Sequence, residues 1–304
     1  MREFSEQEIV RREKINDIKK VCNPYPERYE VTHSLKEASM LPDETTGVRV
    51  AGRIVFMRKM GKMSFIKLRD IESDLQVSIK IDLVGEDKYA FFKDNIDVGD
   101  FIGAEGEIFT THTGEKTLRA SSFEFLGKAL KPLPEKFHGL TDLEACYRNR
   151  YVDLIMNEET RTRFITRIRF IRELRNYLDN LGYMEIETPI LNNKASGATA
   201  RPFKAHHNAL DMDVYLRIAP ETYMKRAVIA GLPKVYEIGR CFRNEGIDQT
   251  HLQDFTMIEA YQAYYNYKDT MKLIQNMLQT IIQNIFGTLT IQIGDKEVDM
   301  SGDW

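Results

Sequence analysis

The sequence predicts an α+β protein of more than one domain, a small β-barrel followed by a helix-rich region built on an antiparallel sheet. Three observations predict it. Apolar residues recur with period two across five short segments between residues 47 and 128. A proline-punctuated stretch, KALKPLPEKFHG, interrupts that pattern. Beyond it helical spacing dominates, with one long hairpin between residues 234 and 264. At 304 residues the chain also exceeds the usual size of one domain. The expected boundaries are a helical extension over 1–46, the barrel over 47–130, a linker over 131–150 and a second folded region over 151–304.

Hydrophobic residues make up 42% and charged residues 29% of the chain, the composition of an ordinary globular protein. The formal net charge is −3, so an RNA partner would have to be met by locally concentrated basic residues. Cys22, Cys146 and Cys241 are isolated thiols, which fit neither a disulfide framework nor a zinc site and suggest a reducing cytoplasm. The N-terminus, MREFSEQEIVRREK, lacks an apolar core segment, and no run approaches the ~18 apolar residues of a membrane span. The expectation is a soluble protein that is not exported.

Residues 4–21 space Ile9, Val10, Ile15, Ile18 and Val21 as a helix, ended by Pro24 and Pro26. VRVAGRIVFMRKMGKMSFIKLRDIESDLQVSIKID then reads as three strands turning at MGKM and IESD, and DFIGAEGEIFTTHTGEKTLRASSFEFLG as two more. A helical stretch, DKYAFFKDNI, precedes the fourth strand. That order matches a small Greek-key barrel of the oligonucleotide-binding type, the OB-fold.

After the linker, residues 158–181 put Phe164, Ile165, Ile168, Ile171, Leu174, Leu178 and Leu181 at helical spacing, and Gly182 supplies the stop. YMEIETPIL alternates as a strand with Pro189 at an edge or bend. Residues 221–230 read as a helix between Pro220 and Gly231. The hairpin follows as strand KVYEIGRCFR, loop NEGIDQTHLQD and strand FTMIEAYQAY, and YKDTMKLIQNMLQTIIQNIFG is a long amphipathic helix closed by Gly287.

Period two places Phe255, Met257, Glu259 and Tyr261 on one face of the returning strand, and Glu237, Gly239, Cys241 and Arg243 on one face of the outgoing strand. A carboxylate among aromatics and a methionine is costly to desolvate, so Glu259 needs a cation or strong donor, either an internal arginine or a ligand. Arg243 offers a planar fork to a carboxylate or phosphate, His251 a second donor, and Phe255 an aromatic face to a base. The loop between the strands is longer than the ~2 to 5 residues usual in hairpins, as functional loops often are. In the barrel, Phe65 at mid-strand is by default core, yet an aromatic beside Gln76 on the next strand is also how such barrels stack and read an unpaired base. Arg53 is by default a solvated strand residue. His206 and His207, adjacent on a strand, point to opposite faces and are expected to be structural or surface residues rather than metal ligands.

These residues carry a resemblance. FRNEG at 242–246 followed by DFTMIEAY resembles motif 2 of class II aminoacyl-tRNA synthetases, and GYMEIETPIL is similar to their motif 1. The helix, the barrel, PLPEKFHGLTD, YRNRYVDLI and ASGATARPFKAHHNALDMDVYLRIAPE together resemble the first part of the bacterial-type lysyl-tRNA synthetase family. The fold so implied is an N-terminal OB-fold β-barrel followed by part of a class II synthetase antiparallel sheet flanked by helices. The resemblance implies that Arg243 is catalytic, gripping the α-phosphate of ATP and the amino-acid carboxylate. Glu245 and His251 would contact ATP, with Phe255 stacked on adenine. Gly197 and Glu221 would receive the α-amino group, and Glu259 and Tyr261 the lysine side chain. Phe65, Gln76 and Glu115 would read anticodon uridines, with Arg58 beside them. It further implies ATP and Mg²⁺ as cofactors, tRNA(Lys) and lysine as partners, a homodimer through motif 1, cytoplasmic residence and no membrane partner. Where the family has HNPEF this chain has HLQDF, which sets residues 252–254 apart.

Adenylate formation needs no nucleophilic side chain. It is an in-line attack of a carboxylate on phosphorus, in which like charges must be neutralised and geometry fixed. The resemblance places motif 3, the Mg²⁺ carboxylates and a second acid for the lysine ammonium after residue 304. No metal ligand is therefore expected within the chain, and the 304 residues, whether fragment or natural truncation, are expected to be inactive alone. The alternatives are a non-catalytic tRNA-binding or dimer-forming module, and an aspartyl- or asparaginyl-tRNA synthetase. An acid at 259 argues against the aspartyl enzyme, and the barrel against the elongation-factor-modifying lysyl ligase, which lacks one.

Overall fold

The computed structural model describes residues 3–134, 140, 142–248 and 250–303, so linker positions 135–139 and 141 and hairpin-loop residue Gln249 lie outside the described residues. The chain divides into two compact units, Met1–Arg161 and Thr162–Trp304.

In the first unit, helix α1 (Glu6–Val21) starts two residues later than its apolar spacing suggests because Ser5 caps it. The Ser5 hydroxyl accepts from the Glu8 N–H at 3.3 Å, and the Glu8 carboxylate accepts from the Ser5 N–H at 3.0 Å. A short helix α2 (Leu35–Met40) leads to the barrel strands β1 (Val48–Met60), β2 (Met63–Arg69) and β3 (Asp74–Lys80). Helices α3 (Ile81–Val84) and α4 (Glu86–Asn95) then precede β4 (Phe101–Thr110) and β5 (Lys116–Gly127). The strands close in the order β1-β2-β3-β5-β4, with β1 antiparallel to β4 and β3 parallel to β5. Ile54, Ile66, Leu68, Val77, Ile79, Ile108 and Leu118 fill the interior, which is the OB-fold expected from the alternation.

Where β5 ends, Lys128 is fully buried against the carboxylates of Asp97 and Asp100. The same corner holds α1, because Arg11 donates to the Ala129 carbonyl at 2.8 Å and Lys14 pairs with Asp97 at 2.8 Å. Helix α5 (Leu143–Arg148) forms inside the stretch expected as linker, capped by Asp142, and α6 (Arg150–Met156) follows it.

Helix α7 (Glu158–Asn180) ends at Gly182, whose φ of +78° suits glycine. The expected single strand YMEIETPIL is instead two short pieces, β6 (Met184–Glu185) and β7 (Leu191–Asn192). Pro189 cannot donate to a ladder, and the backbone on either side of it is engaged by Arg217. The Thr188 carbonyl accepts from Arg217 Nη1 at 3.2 Å, and the Ile190 carbonyl from the Arg217 N–H at 2.8 Å. Strands β8 (Lys204–His207) and β9 (Met212–Leu216) make a small sheet in the order β7-β9-β8. After α8 (Glu221–Ile229) come β10 (Lys234–Phe242) and β11 (Asp254–Gln262), then α9 (Tyr267–Phe286) and the hairpin β12 (Thr290–Ile293) and β13 (Lys296–Asp299).

The long hairpin is antiparallel, and β6 joins it in parallel to give the order β11-β10-β6. Tyr236 anchors this sheet to α7, its hydroxyl donating to Asp179 at 2.9 Å and Glu185 at 3.2 Å. Burial, reinforced by those two carboxylates, holds the phenol protonated by pushing its pKa up. No helix among the described residues is long and apolar enough to cross a membrane.

Candidate functional site

The hairpin register sets Glu237 directly across from Glu259, on one face with Gly239, Met257, Cys241 and Phe255. Two facing carboxylates repel, so each needs its own compensation. Glu237 has it. Arg217, only 3% exposed, places Nη1 on Glu237 Oε1, and the Thr188 hydroxyl donates to Oε2 at 2.7 Å. Gly239 makes room for that guanidinium, since a Cβ there would lie 2.0 Å from Arg217 Nη2. The internal Glu–Arg pair that the face demands is therefore made by Glu237.

Glu259 is left for something else. It accepts the Tyr261 hydroxyl at 3.0 Å, and among the described residues no lysine or arginine reaches it within 4.0 Å. Burial pushes its carboxyl up, the Tyr261 hydrogen bond opposes that, the charges of Glu221 and Glu237 push further, and the more distant Lys225 ammonium pulls back. The same burial and the adjoining carboxylate raise the Tyr261 phenol, which stays a donor. Beside them α8 begins with Glu221, and Gly197 packs against it at φ +90°. A Cβ on Gly197 would sit 3.1 Å from Glu221 Cβ and 3.2 Å from Ala219 Cβ. Lys225, which the sequence reading missed, pairs with Glu221 at 2.5 Å and lies 5.9 Å from the Tyr261 ring centroid. Its i, i+4 spacing from Glu221 was the available signal.

Arg243 stands at the end of β10, where its N–H donates to the Gln253 carbonyl at 2.8 Å and closes the base of the loop. Its guanidinium carbon is 5.2 Å from the Phe255 ring centroid. Among the described residues its buried Nε has no hydrogen-bond partner, a donor suited to an anion. Glu245 accepts from the Arg201 N–H at 3.3 Å, and His251 lies 2.8 Å from Asp248. Asp248, also missed, gathers the loop by accepting from the Thr250 N–H at 2.7 Å and the His251 N–H at 2.8 Å. Those bonds hold its carboxyl far below the usual range. An oxyanion at the Arg243 Nε and a base against Phe255 together fit a nucleotide. Among the described residues no group of three or more His, Cys, Asp or Glu is arranged to hold a metal ion by itself.

On the barrel, Phe65 is not core. Ser64, Ile66 and Leu68 fill the interior positions of β2, which turns Phe65 and Lys67 outward. Pairing continues one outer row through Arg58, Phe65, Ser78, Arg119 and Glu107, and the next through Lys67, Gln76, Thr117 and Phe109. Gln76 Nε2 donates to the Thr117 hydroxyl at 2.9 Å, and Glu115 enters the face by pairing with Lys67 at 3.1 Å. The four barrel residues expected to act together thus share a surface. Arg119 and Phe109 were missed, although their parity on β5 and β4 gives them the same face.

Residues 142–301 match the family described as tRNA synthetases class II (D, K and N), and residues 48–126 match the OB-fold nucleic acid binding domain. The chain belongs to the class II tRNA synthetases of that D, K and N group. It is similar to the lysine–tRNA ligases of Bacillus cytotoxicus and Bacillus cereus strain B4264, at 46% identity in each case, and to that of Bacillus anthracis at 45%. Each match covers 99% of this chain and 62% of the relative, so the chain spans about three-fifths of the length of these relatives.

Proposed function

We propose that this chain carries the amino-acid-selecting hairpin and the anticodon-reading barrel of a lysine–tRNA ligase, which activates lysine with ATP to lysyl-adenylate and transfers it to tRNA(Lys). The observation that carries this reading is the contrast between the two facing carboxylates. Glu237 has a buried arginine in contact, whereas among the described residues Glu259 is bonded by a neutral phenol and feels the Lys225 ammonium, itself paired with Glu221, only from beyond ion-pair distance, so a lysine ε-ammonium supplies the missing contact. In the aspartyl reading the same carboxylate would face a substrate anion and repel it.

The remaining roles follow from position. Gly197 packs closely against Glu221, and the family resemblance gives this pair the α-amino group. Arg243 lies where a substrate carboxylate and the α-phosphate would meet, and its fork neutralises both as they approach. Phe255 offers a stacking face to adenine, with Glu245 and His251 on the loop above. Mg²⁺ supplies charge neutralisation to the triphosphate when bound. On the resemblance, its ligands and the γ-phosphate arginine belong to residues that these 304 do not include, so ligation is expected of a longer polypeptide. The exposed Ile168 of α7 supports a two-fold contact through motif 1, and three free cysteines fit the cytoplasm.

Calorimetry of Glu259→Gln tests the assignment in a polypeptide extended to the length of the relatives. The change keeps shape and removes charge, and a charge-assisted hydrogen bond contributes ~1.5 to 3 kcal/mol. Lysine should bind roughly ten- to a hundredfold more weakly, with ATP affinity in the absence of lysine unchanged. Equal losses for both ligands would show that Glu259 supports the sheet instead.

A further inference from the structure

The outer face of the barrel carries a second flat group that the function proposed above does not use. Arg119 on β5 lies in the same cross-strand row as Phe65, with only Ser78 between them. Two strand spacings put the two backbones roughly 10 Å apart. The Arg119 guanidinium carbon is 4.4 Å from the Phe109 ring centroid, and Nη1 donates to Glu107 Oε2 at 3.3 Å. Phe109 backs the guanidinium and Glu107 pairs with its edge. Between the two flat groups the bonding is incomplete. Among the described residues, Arg119 Nε and the Ser78 hydroxyl, both buried, have no hydrogen-bond partner, and Ser78 is 0% exposed. The Arg119 side chain is about one-third exposed, so the guanidinium reaches the outer face with donor capacity left over.

We propose that Arg119, backed by Phe109, is a second base-stacking platform, which takes an unpaired RNA base at a loop position different from the one on Phe65. This rests on the RNA-binding reading of the barrel and adds a subsite to it. A phosphate contact would use the charge of Arg119, but Glu107 already matches that charge. What remains on offer is a delocalised plane, which stacks on a base as an aromatic ring does, and donors at its margin for the base edge.

The test titrates the full chain with an RNA hairpin carrying a U-rich loop, and with a set in which each loop nucleotide in turn is abasic. The wild type should lose about tenfold in affinity at two loop positions. Phe65→Ala should erase the penalty at the first and leave the second. Arg119→Lys keeps the charge and loses the plane, so it should erase the penalty at the second and leave the first. Phe109→Leu should behave as Arg119→Lys does. The comparison is between loop positions within one variant, and a general loss of folding weakens every hairpin alike and cannot imitate that pattern. Both penalties intact in Arg119→Lys overturns the platform while leaving the RNA reading in place. A wild type that binds none of the hairpins overturns both.

Discussion

Glu259 shows how a single carboxylate can be read from its surroundings. For an acid whose pKa is raised on folding, the native state holds more protons than the unfolded chain between the two values. Stability therefore falls as pH rises from the ordinary glutamate range through the raised one, and Glu259→Gln should remove that component from urea unfolding measured across pH. A cationic ligand acts in the opposite direction. It draws the carboxyl back down, so lysine should bind more tightly as pH climbs through the same window and should release a proton, seen as buffer-dependent heat in calorimetry. Lysine affinity that is flat with pH in both the parent and Glu259→Gln would remove Glu259 from the pocket. Gly239 offers a complementary test. Alanine there forces Arg217 off Glu237, and the guanidinium has no easy retreat, because it also donates to the Arg240 carbonyl at 2.8 Å and the Thr188 carbonyl at 3.2 Å. A buried carboxylate without its cation costs ~3 to 5 kcal/mol, so the unfolding midpoint of Gly239→Ala should drop accordingly. An unchanged midpoint would mean that the pair is dispensable.

At the scale of elements, local patterns were legible and long-range partnerships were not. The face of β11 that holds Phe255, Glu259 and Tyr261 followed from period two alone, and the register agrees with it. The outward turn of Phe65 was also within reach, since Lys67 shares its parity and a lysine does not enter a barrel core unpaired. Arg217 was not legible, because it meets Glu237 across 20 residues of sequence through a strand end that carries no charge pattern. The break in YMEIETPIL has the same origin, a proline together with an arginine that arrives from elsewhere in the chain. The barrel's closing corner is another long-range partnership. Lys128 and Asp100 are both fully buried, and desolvation raises the Asp100 carboxyl even with the ammonium beside it. Lys128→Ala should destabilise the barrel unit by ~3 to 5 kcal/mol, whereas Lys128→Met with Asp100→Asn should recover much of that loss. Circular dichroism during urea unfolding distinguishes the two, and equal losses would show that volume rather than charge decides this corner.

For the molecule as a whole, charge bears on how the proposed RNA loop would be held. The formal net charge is −3, so no long-range field draws a polyanion in. Even the cations on the barrel face are largely matched, Lys67 by Glu115 at 3.1 Å and Arg119 by Glu107 at 3.3 Å. Few counterions can then be released when a loop docks. Each neutralised phosphate of a single strand contributes a slope of about −0.7 to log K against log salt. With the Arg58 guanidinium as the main unmatched charge of the outer rows, the hairpin titration should give a total slope of roughly −1 to −2. Stacking, at ~1 to 3 kcal/mol per base, must supply most of the rest, and it is insensitive to salt. Phe65→Ala should therefore lower affinity by a similar factor at low and high salt without altering the slope, while Arg58→Gln should flatten the slope and leave the abasic pattern unchanged. A wild-type slope steeper than about −4 would mean that backbone contacts away from this face dominate, and that the stacking rows select among loops already held by charge.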